Sequence, residues 1–136
     1  MTIRMVQPMT TLPNVNEQSG ANTLTIASAG TTVTKEFREL SNFENAAFFL
    51  DVTAISGTTP TLDVTIQVQD PISNKWSTLA TFPQQTAVTA ASPGRPPVLS
   101  ALPGVNYRAQ FVVGGTGPSV SFSLGVVLRT SEPIPL

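Results

Sequence analysis

Carboxylates are the side chains with which this protein could do chemistry, because the sequence contains neither histidine nor cysteine. Asp51 and Asp63 are the most suggestive pair, since the spacing of apolar residues places both on the outward face of adjacent predicted strands. If Ala54 pairs with Val64 in a hairpin, the two carboxylates lie about 13 Å apart at ~3.3 Å per residue. Carboxylates that together hydrolyse a glycosidic bond stand roughly 5–9.5 Å apart. We therefore interpret both as solvated charges that discourage aggregation of sheets.

Other groupings of residue types also lack part of the chemistry that they suggest. The glycines of Gly114–Gly117 are not followed by the lysine and helix of a phosphate-binding loop, so we predict a hairpin turn there. The net charge is −1 and the arginines are scattered, which predicts no nucleic-acid binding. Tyr107 and Phe111 have the parity of core positions, whereas Trp76 could be an exposed platform for a sugar. These observations predict a protein that is not an enzyme and has no metal site and no cofactor.

The composition is typical of an all-β protein with a nearly uncharged surface. Charged residues make up 11% of the chain, against a usual value of about 25%. Threonine and valine are abundant, and 12 prolines and 9 glycines divide the sequence into short segments. A surface of threonine, serine and glutamine resists self-association poorly, which indicates a protein that works inside an assembly. No apolar stretch approaches the ~18 residues of a membrane-spanning helix, and residues 1–8 lack the apolar run of a secretory signal.

Apolar residues recur at every second position in much of the chain, which predicts strands with one buried face. The clearest strands put the following residues on the inner face: Phe48, Leu50, Val52 and Ala54; Leu62, Val64, Ile66 and Val68; Val105, Tyr107, Ala109, Phe111 and Val113; Val120, Phe122, Leu124, Val126 and Leu128. We predict an antiparallel two-sheet sandwich or jelly roll of about eight strands. Residues 35–48 could hold a short helix or a strand end followed by a loop, and we favour the loop. Residues 85–90 predict only a weak strand.

Two short motifs repeat with a separation of 58 residues. Ser56-Gly57-Thr58-Thr59-Pro60 and Gly114-Gly115-Thr116-Gly117-Pro118 each follow an apolar strand and precede an alternating one. We predict that each motif closes a β-hairpin. The strands before the two motifs differ by one residue in register, so either the hairpin loops differ in length or a bulge near the first motif absorbs the slip. A further turn is expected at Asp70–Asn74, with Asn74 left-handed.

The chain is expected to carry two extended arms: an N-terminal arm at 1–21 and a proline-rich tail at 131–136, on either side of a β-sandwich domain at 22–130. Pro8 and Pro13 favour extended backbone before them, and the apolar residues of the arms show no period of their own. Such a segment is either a frayed end or is buried against another molecule, and proline lowers the entropy lost on docking. The candidate assembly contacts are Ile3, Arg4 at the rim, Met5, Val6, Met9, Leu12, Ile134 and Leu136.

The run Leu50–Trp76, LDVTAISGTTPTLDVTIQVQDPISNKW, resembles a pattern in small virion proteins of tailed bacteriophages. In those proteins an LDVTA strand, an SGT-x-P turn, an LDVTI strand and a D-P-x-S-x-K-W hairpin follow one another. Residues 115–122 are similar to their closing hairpin, so the resemblance covers about residues 47–128. It implies a β-sandwich or jelly-roll subunit of a virus particle.

Within that family, the resemblance implies a capsid decoration (cement) protein that binds the major capsid protein and stabilises the lattice. Such a protein would form a homotrimer, be made in the host cytoplasm and reside in the virion, with neither nucleic acid nor membrane as a partner. The alternative is a tail, neck or fibre component whose β-sandwich binds a host glycan. An exposed Trp76 beside polar loop residues would favour that alternative.

Overall fold

The computed structural model of the protein describes residues 2–10, 23–91 and 94–131 and shows an all-β fold. Seven strands of the described part join in one antiparallel sheet. These are β1 (Thr2–Pro8), β2 (Leu24–Ile26), β3 (Gly30–Val33), β4 (Asn45–Gln69), β5 (Trp76–Thr81), β6 (Val98–Ala101) and β7 (Tyr107–Ser131). A single-turn 3-10 helix covers Glu39–Asn42, where we favoured a loop, and it brings Leu40 fully into the core.

The two repeated motifs do not close hairpins, contrary to the sequence prediction. They lie inside β4 and β7, each of which continues through its motif for 25 residues. The two strands pair antiparallel along their length and place Thr58 opposite Thr116 at the centre. The motifs therefore cross each other in the middle of one long two-stranded ribbon. Alternation of apolar residues is the same in a hairpin and in such a ribbon, so it could not distinguish them.

Bulges bend the ribbon where the motifs cross. The register of β4 against β7 shifts three times between residues 52 and 61. Gly57 and Gly115 have φ angles of 116° and 106°, which residues with a side chain rarely adopt. Of the two explanations that we offered for the register slip, the bulge near the first motif is confirmed. A further bulge after Val52 leaves Ala54 exposed, whereas we predicted it on the inner face.

The bend folds the sheet back on itself around the core. Phe111 and Phe122 belong to the same strand, and 11 residues of extended chain would separate them by roughly 36 Å. Their ring centroids instead lie 4.8 Å apart in an edge-to-face contact. The halves of β7 on either side of the bend therefore face each other. The predicted inner residues of β4 and β7 are buried, except Ala54, the half-buried Val68, and Val105, which precedes β7 and is exposed.

Short strands widen the ribbon on both sides of the bend. In what we call the first half-sheet, β1 and β2 pair with the C-terminal part of β7, and β6 pairs with the start of β4. In the second half-sheet, β3 pairs with the start of β7 and β5 pairs with the end of β4. The observed architecture is thus one curled antiparallel sheet whose halves enclose the core.

The N-terminal segment differs from the irregular arm that we predicted. Residues 2–8 form β1, which pairs with residues 125–131 of β7 in an unbroken register. Residues 85–90, predicted as a weak strand, contribute only an isolated bridge between Gln85 and Leu62. The turn after β4 is confirmed, and Asn74 has a φ of 62°. Asp70 Oδ1 accepts hydrogen bonds from the N–H groups of Ile72 (2.8 Å) and Ser73 (3.3 Å), which lower the pKa of Asp70.

Candidate functional site

An open groove with a volume of about 780 Å³ crosses the outer face of the first half-sheet. Its floor consists of residues 49–53 of β4 and residues 123–125 of β7. Residues 6–8 of β1 form one side, and residues 88–91 with 94–95 form the other. A volume of this size is in the range of ligand-binding clefts, roughly 300–1,000 Å³. The groove is the candidate site because it combines this volume with exposed apolar side chains.

Residues 88–91 and 94–95 form the wall of the groove beside β4, and hydrogen bonds hold this wall against β4 although it is not a strand. Thr89 N–H donates to the carbonyl of Val52 (3.0 Å), and Val52 N–H donates to Thr89 Oγ1 (3.0 Å). Further back along the chain, Gln85 and Leu62 exchange two backbone hydrogen bonds of 2.8 and 2.9 Å. The segment that follows β5 is therefore fastened to β4 at two points, and its apolar residues are kept beside the floor of the groove.

Three apolar side chains of the groove are exposed. Val6 is 76% exposed, Val88 53% and Phe49 44%. Phe49 lies directly opposite Gly125 in the sheet, and a glycine provides no side chain to cover the ring. Isolated exposed apolar residues are ordinary, but several around one concave surface are typical of an interaction site.

Two charged residues, Asp51 and Arg95, also line the groove. Asp51 is exposed on the floor, and Arg95 lies half-buried in the wall. The Nε of Arg95 is buried and has no hydrogen-bond partner. A buried donor without an acceptor is costly, so an acceptor supplied by a bound molecule would be favourable at this point. The chemistry of the groove is that of binding an apolar segment with a hydrogen-bond acceptor.

The acidic pair considered from the sequence is not brought together. Asp51 lies on the outer face of the first half-sheet, whereas Asp63 lies on the outer face of the second and accepts a hydrogen bond from Gln84 Nε2 (2.9 Å). Both belong to β4, on opposite sides of the bend, so the hairpin geometry assumed for them does not apply. Within the described ranges, no group of three or more acidic side chains could hold a metal ion.

The predicted assembly contacts have different positions in the structure. Val6 is exposed at the groove, but Met9 is fully buried in the core of its own chain, where its N–H donates to the carbonyl of Leu124 (2.7 Å). Met9 therefore cannot reach another molecule while β1 is paired. Ile3, Arg4 and Met5 lie within β1, where their backbone is described. Leu12, Ile134 and Leu136 lie outside the described residues.

Trp76 lies on the outer face of the second half-sheet and is half-buried. The guanidinium of Arg108 stacks over its ring at 4.2 Å, and Arg108 Nε donates to Gln67 Oε1 (2.7 Å). Burial lowers the pKa of Arg108, and the nearby negative charge of Glu36 partly offsets this effect. One face of the indole is therefore covered by a side chain of the same protein. Only its other face could serve as the sugar platform suggested by the sequence.

Comparison with protein-family models, with curated proteins and with solved structures gives no match to this chain.

None of the helices in the described residues is long and apolar enough to cross a membrane.

Sequence reasoning missed Phe49 and the wall residues 88–91 and 94–95 as parts of a site. The signal for Phe49 was present, because it is a large aromatic residue on the predicted outward face, which it shares with Asp51 and Thr53. The wall residues had no such signal. Val88 lies beside β4 because its neighbour Thr89 forms hydrogen bonds with Val52, a residue 37 positions earlier in the chain.

Proposed function

We propose that this protein is a structural virion protein, a head decoration (cement) subunit of a tailed bacteriophage. It binds the major capsid protein and stabilises the lattice, it is made in the host cytoplasm, and it resides in the virion. In this proposal the two half-sheets act as the two layers of a jelly-roll sandwich. The role is one of binding, without catalysis, cofactor, nucleic acid or membrane.

The observation that carries this proposal is the groove on the first half-sheet. Val6, Phe49 and Val88 are exposed around it, and a buried donor of Arg95 faces no acceptor. An apolar segment of a capsid subunit would cover these three side chains, and a backbone carbonyl in that segment could accept a hydrogen bond from Arg95 Nε. The resemblance of residues 47–128 to small phage virion proteins supports the choice of partner.

Binding to purified phage heads tests the proposal. Heads of the encoding phage that lack this protein would be mixed with the wild type, with Val88→Asp and with Ile72→Asp, and the bound protein would be measured after sedimentation. Ile72 is the matched control, because it is 91% exposed at the β4–β5 turn, outside the groove. We expect Val88→Asp to weaken binding at least tenfold, which corresponds to ~1.4 kcal/mol, and Ile72→Asp to leave it unchanged. Equal binding by the three proteins would contradict the groove as the capsid contact.

We further propose that the protein forms a homotrimer, as the resemblance to decoration proteins implies. Quasi-threefold positions on an icosahedral shell suit a trimer, and the outer faces of the sheet carry few charges. Sedimentation equilibrium should give a mass that is a multiple of three chains. A monomer or a dimer at every concentration in solution, and on heads as well, would contradict it.

The second candidate is a tail, neck or fibre component that binds a host glycan. The observation that favours it is Trp76 on a polar sheet face, beside Arg108 and Gln67. Aromatic rings bordered by polar side chains are suited to sugars, and glycan-array binding that Trp76→Ala removes would support this candidate. The position of the gene also separates the two, since a place beside the major capsid gene favours decoration and one beside the tape-measure gene favours the tail.

A further inference from the structure

The outer edge of β1 is an unpaired sheet edge. β1 stands at one end of the strand order β1-β7-β4-β5, and within the described residues no strand pairs with its other side. An edge of this kind presents a row of free backbone N–H and C=O groups, which an extended strand of another molecule can pair with. The groove described above begins immediately beside this edge, at Val6 and Pro8.

The backbone groups that face outward can be identified from the hydrogen bonds to β7. Met9 N–H donates to the carbonyl of Leu124, so Met9 belongs to a hydrogen-bonded pair. Hydrogen-bonded and non-hydrogen-bonded pairs alternate in an antiparallel ladder, and the register of β1 is unbroken. Every second residue counted back from Met9 therefore turns its backbone groups to β7. The residues that turn theirs outward are Thr2, Arg4, Val6 and Pro8.

Pro8 agrees with this alternation. Proline has no N–H and is tolerated in strands where that group would face away from the sheet, which is the orientation inferred for position 8. The outward edge consequently carries a C=O but no N–H at Pro8, and both groups at Thr2, Arg4 and Val6. These groups have no partner in the described part of the chain.

We propose that this edge pairs with the same edge of a second copy of this chain, antiparallel about a two-fold axis at Met5. In this register Arg4 lies opposite Val6 of the second copy and Thr2 lies opposite its Pro8. All the outward residues then fall in hydrogen-bonded pairs, which gives about six backbone hydrogen bonds between the copies. The missing N–H of Pro8 falls at the two ends of the shared ladder, where it interrupts nothing.

The two-fold axes at the neighbouring residues give less favourable pairing of the two edges. An axis at Val6 shortens the ladder and leaves about four hydrogen bonds. An axis at Arg4 keeps about six but places two arginines directly opposite each other, and like charges in that position are destabilising. The axis at Met5 also brings the 76% exposed Val6 diagonally beside Val6 of the second copy on the same face. The two grooves then lie on either side of the axis in one continuous sheet.

This contact does not depend on the proposed function, and it is compatible with a trimer. A two-fold contact between monomers gives a dimer, and one between trimers gives a hexamer. The paired edges are short for a stable interface, so we expect association in the micromolar range rather than tighter.

Proline substitution tests the hydrogen-bonded edge. Val6→Pro removes one outward N–H and no hydrogen bond to β7, whereas Val6→Ala removes apolar surface and keeps the N–H. In sedimentation equilibrium we expect the wild type to have the mass of an oligomer with an even number of chains. Val6→Pro should have half that mass, and Val6→Ala should have the wild-type mass or a value between the two. A wild type that is monomeric or trimeric up to several hundred micromolar, or a folded Val6→Pro of unchanged mass, would overturn the pairing.

Cross-linking tests the register and does not rely on the proline variant being folded. The protein has no cysteine of its own, so introduced thiols have no competitors. Residues opposite each other in a hydrogen-bonded pair are about 5.5 Å apart at Cα, within the range that a disulfide spans. The double variant Arg4→Cys, Val6→Cys should oxidise to a covalent dimer, whereas Val6→Cys alone should not. Efficient cross-linking of Val6→Cys alone would place the axis at Val6, and no cross-linking of either variant would overturn the contact.

Discussion

Alanine at Gly57 should destabilise the protein strongly, because this glycine lies where the two motifs cross. Its φ of 116° is in a region that residues with a side chain avoid, at a cost of about 1–3 kcal/mol. A Cβ at this position would lie 2.8 Å from the carbonyl oxygen of Gly117 and 2.9 Å from Cα of Pro118. Both are backbone atoms of the facing strand, so they cannot turn aside, and overpacking of this kind costs about 1–3 kcal/mol.

The backbone strain and the steric overlap both destabilise the folded state, and a smaller effect on the unfolded state opposes them. Alanine stiffens the unfolded chain relative to glycine, which stabilises by about 0.4–1 kcal/mol. We therefore expect Gly57→Ala to lower the free energy of unfolding by about 2–5 kcal/mol. For a domain whose total stability is about 5–15 kcal/mol, that is a large fraction. Gly115→Ala should behave alike, since its Cβ would meet Thr59 O at 2.8 Å and Thr58 O at 2.9 Å on the other strand.

Urea titration followed by Trp76 fluorescence measures the effect, with two glycines as controls. Gly117 has a φ of 57° and nothing within 4 Å of an added Cβ, so Gly117→Ala carries backbone strain of about 1–2 kcal/mol and no overlap. Gly94 has an ordinary φ, and its nearest contact would be 3.6 Å from Ala90 O, so Gly94→Ala should be neutral or slightly stabilising. If Gly57→Ala cost no more than Gly117→Ala, the close approach of the two motifs would be refuted.

Three further results are expected. Phe122→Ala should lower the free energy of unfolding by about 3–5 kcal/mol, because its ring packs in the core, whereas Thr65→Ala on an outer face should cost less than about 1 kcal/mol. Equal losses in urea would show that the two faces of β4 and β7 are misassigned. Met9→Ala should cost about 2–5 kcal/mol because Met9 is fully buried, and an unchanged melting temperature would mean that β1 does not pack as described. The lowered pKa of Asp70 stabilises the folded state above the ordinary value of 3.8, and this stabilisation is lost as the pH falls through the folded-state pKa. Asp70→Ala should therefore lose less stability than the wild type between roughly pH 5 and pH 2, and identical pH profiles would contradict the turn hydrogen bonds.

The strands and their buried faces could be predicted from the sequence, because both depend on local spacing. Alternation of apolar and polar residues over Leu62–Ile66 and Val120–Leu128 identified the inner faces, since successive side chains in a strand point to opposite sides. The turn at Asp70–Asn74 was predictable for the same local reason. Aspartate can cap the backbone two residues on, and asparagine tolerates a left-handed conformation.

The candidate site could be predicted only in part. Val6 was named as a contact because it is apolar in a segment without a core of its own, and it is exposed at the groove. The same reasoning chose Met9, which is buried, because the pairing of β1 with β7 decides which side of the strand is covered. That pairing joins residues about 120 positions apart, and nothing near Met9 in the sequence specifies it.

The sequence by itself determined that the protein is built from one-sided strands with nearly uncharged outer faces, and that each glycine motif departs from regular strand geometry. Only the tertiary structure decided that the motifs bend a continuous ribbon instead of closing hairpins. A glycine with positive φ serves a hairpin turn and a bulge equally well, and the choice depends on which strand lies opposite. At the crossing, each glycine leaves room for the backbone of the other motif. That close approach is a property of two distant segments together, so neither segment alone could reveal it.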